Sequence, residues 1–171
     1  MRAVKIRRTR GQSAGKALNA QGTLRDFTSG IIPMKLDAEW ITGFVDGEGC
    51  FHVGINEHSD MKCGFQVLPE FTVVQHERDV KLLHALRDYF GCGVVRTNHG
   101  DRWAFRVRGK KDLLERIVPF FEKYPLRSEK RLEFESFRDV LRLMKAGDHL
   151  TPEGVQNVRR LAVGMNRGRS R

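Results

Sequence analysis

The sequence predicts an α+β domain in which helices cover an antiparallel sheet. Two observations carry that expectation. Two pairs of short segments alternate apolar and polar residues at the two-residue period of a strand, and the segments around them repeat apolar residues at helical spacing. Each strand-like pair is joined by a short polar stretch, as antiparallel neighbours allow, rather than by the long crossover that parallel strands need.

Asp37 begins the first helix as an N-cap, with Glu39 in the first turn where a carboxylate suits the helix dipole. That helix is expected to reach about Val45. Phe51 to Glu57 and Phe65 to Gln75 form the first strand pair, separated by His58 to Lys62. In the second strand Phe65, Val67, Phe71 and Val73 share one side, and Gln66, Leu68, Glu70, Thr72 and Val74 the other; Pro69 suggests an edge or a bulge. Glu77 to Phe90 is an amphipathic helix through Val80, Leu83, Leu86 and Phe90, closed by Gly91. Val94 to Thr97 and Arg102 to Arg108 make the second pair across Asn98-His99-Gly100-Asp101. Helices are then expected over Lys111 to Phe121, Ser128 to Lys145 and Thr151 to Met165, the last starting on Thr151-Pro152 as N-cap and N1. No internal repeat is apparent.

A chain of 171 residues with 11 Phe fits one domain with a moderate core. It contains no run of 18 apolar residues and no apolar stretch behind its basic N-terminus, so the expectation is a soluble intracellular protein, in the cytoplasm or an organelle, with no membrane association. Cys50, Cys63 and Cys92 are odd in number and lack CxxC spacing, which points to reduced small residues. The six His make no constellation with Cys, and His52, His58 and His76 lack metal-ligand spacing.

The net charge of +10 is unevenly placed. Residues 1–36 hold eight Lys/Arg and one acid, and residues 154–171 hold five Arg and no acid, which leaves −2 for residues 37–153. A slightly acidic core with basic ends suggests a shaped nucleic-acid reader with electrostatic arms rather than a uniformly sticky surface. Residues 1–33 accordingly read as a basic, flexible extension, with a helical turn possible around Thr23 to Phe27. Residues 34–165 read as the folded domain, and 166–171 as a basic tail. Within the domain, Arg102-Trp103-Ala104-Phe105-Arg106-Val107-Arg108 turns Trp103, Phe105 and Val107 inward and three Arg outward. Without interspersed acids these Arg would repel one another in water, so they read as partners of phosphates or guanine edges.

The string Trp40-Ile41-Thr42-Gly43-Phe44-Val45-Asp46-Gly47-Glu48-Gly49 stands apart from this pattern. Gly43 and Gly47 lie one helical turn apart on one face, where they permit a second helix to come close. Each costs about 1 kcal/mol relative to Ala in a helix, so close packing is the expected compensation, and it delivers Glu48 to a defined place. The string resembles the signature of the LAGLIDADG homing endonucleases, and Phe71 to Asp79 and Gly91 to Arg96 are similar to the family's second strand and third-strand entry.

The resemblance implies an αββαββα core from about Leu36 to Met144, with a sheet that forms a DNA-binding saddle. One signature in the chain implies a homodimer joined at Gly43 and Gly47. It implies metal-dependent cleavage of a long, roughly palindromic DNA site, with Glu48 and the Gly47 carbonyl holding Mg²⁺ or another divalent cation such as Mn²⁺. Gln75 matches a position that organises water around the metal. A basic catalytic residue is expected near Arg127-Ser128-Glu129-Lys130-Arg131, with Lys130 preferred and Arg127 second. Asp46 is expected to hydrogen-bond around the helix end rather than bind metal. Base readers are expected at His52, Gly54, Asn56, Gln66, Glu70, Thr72, Arg96, Arg102, Arg106 and Arg108. Two alternatives use the same fold: a maturase that binds intron RNA, and a catalytically inactive DNA-binding protein.

Overall fold

The structure, a computed structural model, describes residues 34–165. The elements follow as α1 (Ala38–Glu48), β1 (Gly49–Glu57), β2 (Phe65–His76), α2 (Val80–Phe90), β3 (Val94–His99), β4 (Arg102–Val107), α3 (Lys110–Asp112), α4 (Val118–Lys123), α5 (Lys130–Ala146) and α6 (Pro152–Met165). This is the expected αββαββα order with further helices. The expected basic extension and tail, including the turn around Thr23 to Phe27, lie outside the described residues.

One four-stranded antiparallel sheet has the order β1-β2-β4-β3. Its inner face is apolar by simple alternation: Phe51 and Val53 on β1, Val67, Phe71 and Val73 on β2, and Phe105 and Val107 on β4 are all buried. Phe51 sits at the centre of the core, stacked on Phe71 with ring centroids 5.1 Å apart and touching Phe121, Phe134 and Phe137. Such aromatic pairs contribute about 0.5–1.5 kcal/mol each beyond area burial. α5 supplies Phe134, Phe137, Val140, Leu141 and Met144 to this core on its inward stripe.

Several boundaries differ from expectation for local reasons. α1 continues three residues past Val45 to Glu48, its glycines notwithstanding, because Ile41 and Val45 are wholly buried and tertiary packing outweighs propensity. The stretch after β2 begins as a 3-10 turn, Glu77–Asp79, capped by His76, before α2 starts. β3 extends to His99, with a register irregularity between Thr97 and His99, so the turn narrows to Gly100-Asp101. The helix expected over Lys111 to Phe121 runs from α3 through a π-helical turn, Leu113–Ile117, into α4.

Pro69 makes no bulge, since the β1–β2 register passes through it as Val53 opposite Pro69. It is tolerated in an internal strand because β4 pairs with β2 only from Phe71 onward, which leaves β2 locally an edge on that side. Gly91 closes α2 in the left-handed conformation (φ 62°), and the Thr151 hydroxyl accepts from the Gly154 amide at 3.0 Å, as an N-cap should. No disulfide links the three cysteines. Among the described residues, no helix is long and apolar enough to cross a membrane.

Candidate functional site

The site is built where α1 turns into β1. Asp37 caps the start of α1 by accepting from the Trp40 amide at 2.6 Å. The helix stops when Gly49 swings to extended backbone while its N–H still donates to the Val45 carbonyl. A Cβ at position 49 would lie 2.5 Å from Val45 Cγ1 and 2.8 Å from Val45 O, so the turn requires glycine. Glu48 is therefore presented on the last helical residue, exposed, with no hydrogen bond or ion pair to any described residue.

Asp46 has a different fate. Its carboxylate accepts from the Arg127 amide at 2.9 Å, from the Ser128 amide at 3.1 Å and from Ser128 Oγ at 2.5 Å. Burial alone would raise its pKa, but these hydrogen bonds and nearby Lys130 outweigh it and hold the carboxyl below its ordinary value. Asp46 thus hydrogen-bonds at a helix end, as expected, but that end is the start of the segment leading into α5 and not the end of its own helix. Two residues on, Lys130 Nζ donates to the Gly49 carbonyl. Asp46, Ser128, Lys130 and Gly49 close a ring that fixes the beginning of α5 against the end of α1. Arg127 enters this ring through its backbone amide, which favours Lys130 as the placed cation.

The end of α1 is electrostatically unusual. It carries Asp46 and Glu48 but no basic residue of its own. Its last carbonyls lack intrahelical partners and form the negative pole of the dipole. Lys130 brings one positive charge from another element. Gln75 lies on β2 two residues beyond Val73, the cross-strand partner of Gly49, so register places it at the same end of the sheet as Glu48.

Gly43 and Gly47 are both exposed, and a Cβ added at either would meet nothing within 4 Å. Beside them Trp40 is 43% exposed and stacks on Phe44 with centroids 4.9 Å apart. A glycine-lined helix face next to an exposed tryptophan is thus left uncovered by the described residues.

The expected reading residues lie on the outer face of the sheet, except Arg108, which follows β4 because that strand ends at Val107. The register sets His52 opposite Glu70, Gly54 opposite Leu68 and Asn56 opposite Gln66, while Thr72 faces Arg106 and Arg96 faces Ala104. His52, Asn56, Arg96, Arg102 and Arg108 are exposed, and Gly54, Gln66, Glu70, Thr72 and Arg106 are half-buried. The outward arginines are not without acids, contrary to the sequence reading. Glu70 pairs with Arg106 at 3.6 Å and with Arg108, and Asp101 lies 3.6 Å from Arg102. Glu70 is 38 residues from Arg108 along the chain, and only strand pairing brings it there.

The sequence of residues 41–141 matches the LAGLIDADG endonuclease family. This chain belongs to that family. It is 51% identical to I-TnaI, a homing endonuclease of solved structure, over 79% of this chain and 91% of that one, with a TM-score of 0.76. It is 35% identical to the meganuclease I-SmaMI, whose structure was solved bound to uncleaveable DNA, over 78% of this chain and 46% of that one, again with a TM-score of 0.76. Among curated relatives it is 36% identical, over 82% of its length, to a 50.9 kDa protein in ND4 intron 1 of Podospora anserina, and 30% identical, over 60%, to the homing endonuclease I-ApeII of Aeropyrum pernix. It spans 32% of the former and 60% of the latter.

Within this LAGLIDADG domain, the residues suit a hard divalent cation only as part of a larger site. Glu48 offers an unclaimed carboxylate and Gly47 a helix-end carbonyl, both oxygen donors. The described residues contain no group of three or more His, Cys, Asp or Glu able to hold a metal by themselves. Two functional features escaped the sequence reading: the steric need for glycine at Gly49, and the Asp46–Ser128 contact across the fold. The first has a sequence signal, a glycine immediately after an acidic helix end; the second has none.

Proposed function

We propose that this LAGLIDADG chain is a site-specific double-strand DNA endonuclease acting as a homodimer with a divalent cation. The observation that carries the reading is the exposed Glu48 at a negative helix end, without a partner among the described residues and beside a glycine face that those residues leave uncovered. Pairing two copies through Gly43 and Gly47 would bring two such carboxylates together and supply the donors that one copy lacks. That the chain matches 46% of I-SmaMI but 91% of I-TnaI supports the view that one copy is half of a working unit.

Glu48 and the Gly47 carbonyl would hold Mg²⁺ or Mn²⁺, which supplies charge stabilisation at the phosphate and an activated water. Lys130, held at the Gly49 carbonyl, contributes a fixed positive charge against the phosphate. Gln75 offers an amide to orient water. The sheet's outer face, with Asn, Gln and Arg at alternate positions, lies in the major groove and reads base edges.

The test uses the full chain and the DNA sequence obtained by joining the flanks of its gene. Double-strand cuts are expected with Mg²⁺ and none with a chelator present. Glu48→Gln should lose cleavage yet bind the same duplex within about tenfold, because Gln keeps the shape and loses the charge that holds metal. Full cleavage by that variant would remove Glu48 from the mechanism. Specific binding to intron RNA with no cutting of any duplex would favour the maturase reading instead.

A further inference from the structure

We propose that Glu70 is a specificity-determining residue: it clamps Arg106 so that this guanidinium reads a guanine edge instead of a phosphate. The proposal rests on the endonuclease reading above and adds a role to one acid on the reading face.

Glu70 lies on β2, diagonal to Arg106, whose direct partner is Thr72. Its side chain is only 17% exposed, against 32% for Arg106 and 69% for Arg108. One carboxylate oxygen lies 3.6 Å from Arg106 Nε, and the other accepts from Arg108 Nε. On its far side Arg106 donates through Nη2 to Asn98 of β3. Arg106 thus lies between two neighbouring strands: Nη2 is hydrogen-bonded to Asn98, while Nε, buried and without a hydrogen-bond partner among the described residues, is held only by the charge of Glu70 at 3.6 Å, and Nη1 has no hydrogen bond to any described residue. Arg108 donates to Glu70 through Nε, and the rest of its side chain is exposed.

An acid on a surface that approaches a polyanion lowers affinity for every sequence. It also cancels much of the attraction Arg106 would feel for a phosphate. What it provides in return is geometry. Phosphate contacts tolerate a mobile cation, whereas a bidentate contact to guanine O6 and N7 needs a fork already in place. Glu70 and Asn98 immobilise Arg106 before DNA arrives, so less ordering is left to occur on binding. The outer face then divides into a half-buried reader, Arg106, fixed from both sides, and a more exposed cation, Arg108, tethered at one end.

The experiment selects bound duplexes from a random-sequence library with the full chain, comparing wild type, Glu70→Gln, Arg106→Ala and Arg106→Lys, each checked for unchanged thermal unfolding. Affinity for random-sequence duplex is measured across salt concentration. Arg106→Ala marks the base pair that Arg106 reads, where the preference should flatten. Glu70→Gln should weaken preference at that same base pair by about fivefold or more. It should also bind random duplex roughly threefold tighter at low salt, with a steeper salt dependence, because an anion has been removed and two arginines freed. Arg106→Lys should keep random-duplex affinity and lose the preference, since an ammonium has no fork. A Glu70→Gln variant with wild-type preference at that base pair, or with affinity lowered equally for all sequences, would overturn the clamp. A wild-type chain that enriches no sequence would instead overturn the endonuclease reading itself.

Discussion

Glu48 is in a poor place for stability. It ends a helix whose C-terminal pole repels a carboxylate, an effect worth about 0.3–1 kcal/mol, and no described residue hydrogen-bonds or ion-pairs with its carboxylate. A residue kept where it destabilises the fold is expected to serve function. Glu48→Gln should therefore leave the melting temperature unchanged or slightly raised while cleavage disappears, and calorimetry with a gel-based cleavage assay on the same sample reads both. A marked fall in melting temperature would show that Glu48 has a structural partner. Lys130 makes the complementary case. Removing its charge as Lys130→Met should slow cleavage by about 10²–10³, the range seen when one preorganised stabilising group is lost, with DNA affinity little changed. Single-turnover kinetics at saturating duplex isolate that step.

Between elements, the decisive contact joins α1 to α5. Asp46→Ala removes the acceptor for two amides and one hydroxyl at the start of α5. Losing such a cap costs about 0.5–2 kcal/mol, and denaturant unfolding should report it. Because Lys130 follows two residues later, cleavage should fall more steeply than stability predicts, and a proportionate loss would mean that Asp46 only supports the fold. Gly49→Ala forces a methyl against Val45 and should cost about 1–3 kcal/mol while displacing Glu48. These contacts mark the limit of what the sequence could convey. Strand faces were legible because Phe71-Val73 and Phe105-Val107 alternate cleanly, and Asp37 and Gly91 announced helix ends through their own local chemistry. The Asp46–Ser128 and Glu70–Arg106 contacts join positions 82 and 36 residues apart, and no local periodicity encodes a partner at that distance. The π-helical turn at Leu113–Ile117 was equally silent, since its residues would suit an ordinary helix.

For the whole molecule, the uncovered glycine face allows a discriminating test. Among the described residues a Cβ at Gly43 meets nothing within 4 Å, so Gly43→Leu should leave the monomer at least as stable as wild type, gaining up to about 1 kcal/mol because glycine is a poor helix former. The same substitution should abolish the proposed dimer, which light scattering measures directly. An intact dimer would place the interface elsewhere. Removing residues 1–30, which contain seven of the 31 Lys/Arg, should weaken binding to all duplexes by similar factors. The salt dependence should become shallower by about 0.9 for each phosphate that the shortened chain no longer neutralises. An unchanged slope would mean that this segment does not touch the phosphates.

The alternation of the sheet has a consequence for how such a protein changes over generations. On β1, β2 and β4, the residues that hold the fold together and those that face outward occupy opposite parities along the same strands: Phe51, Val53, Phe71, Val73, Phe105 and Val107 point inward, and His52, Glu70, Thr72 and Arg106 outward. Glu48, Gly49 and Lys130 sit apart from both, at helix ends. If the outer face reads DNA and Glu48 and Lys130 cut it, as proposed, a lineage can drift to a new target by altering outward positions alone, without repacking a side chain of the core. Heritable change in what is recognised is thereby uncoupled from change in whether the protein folds.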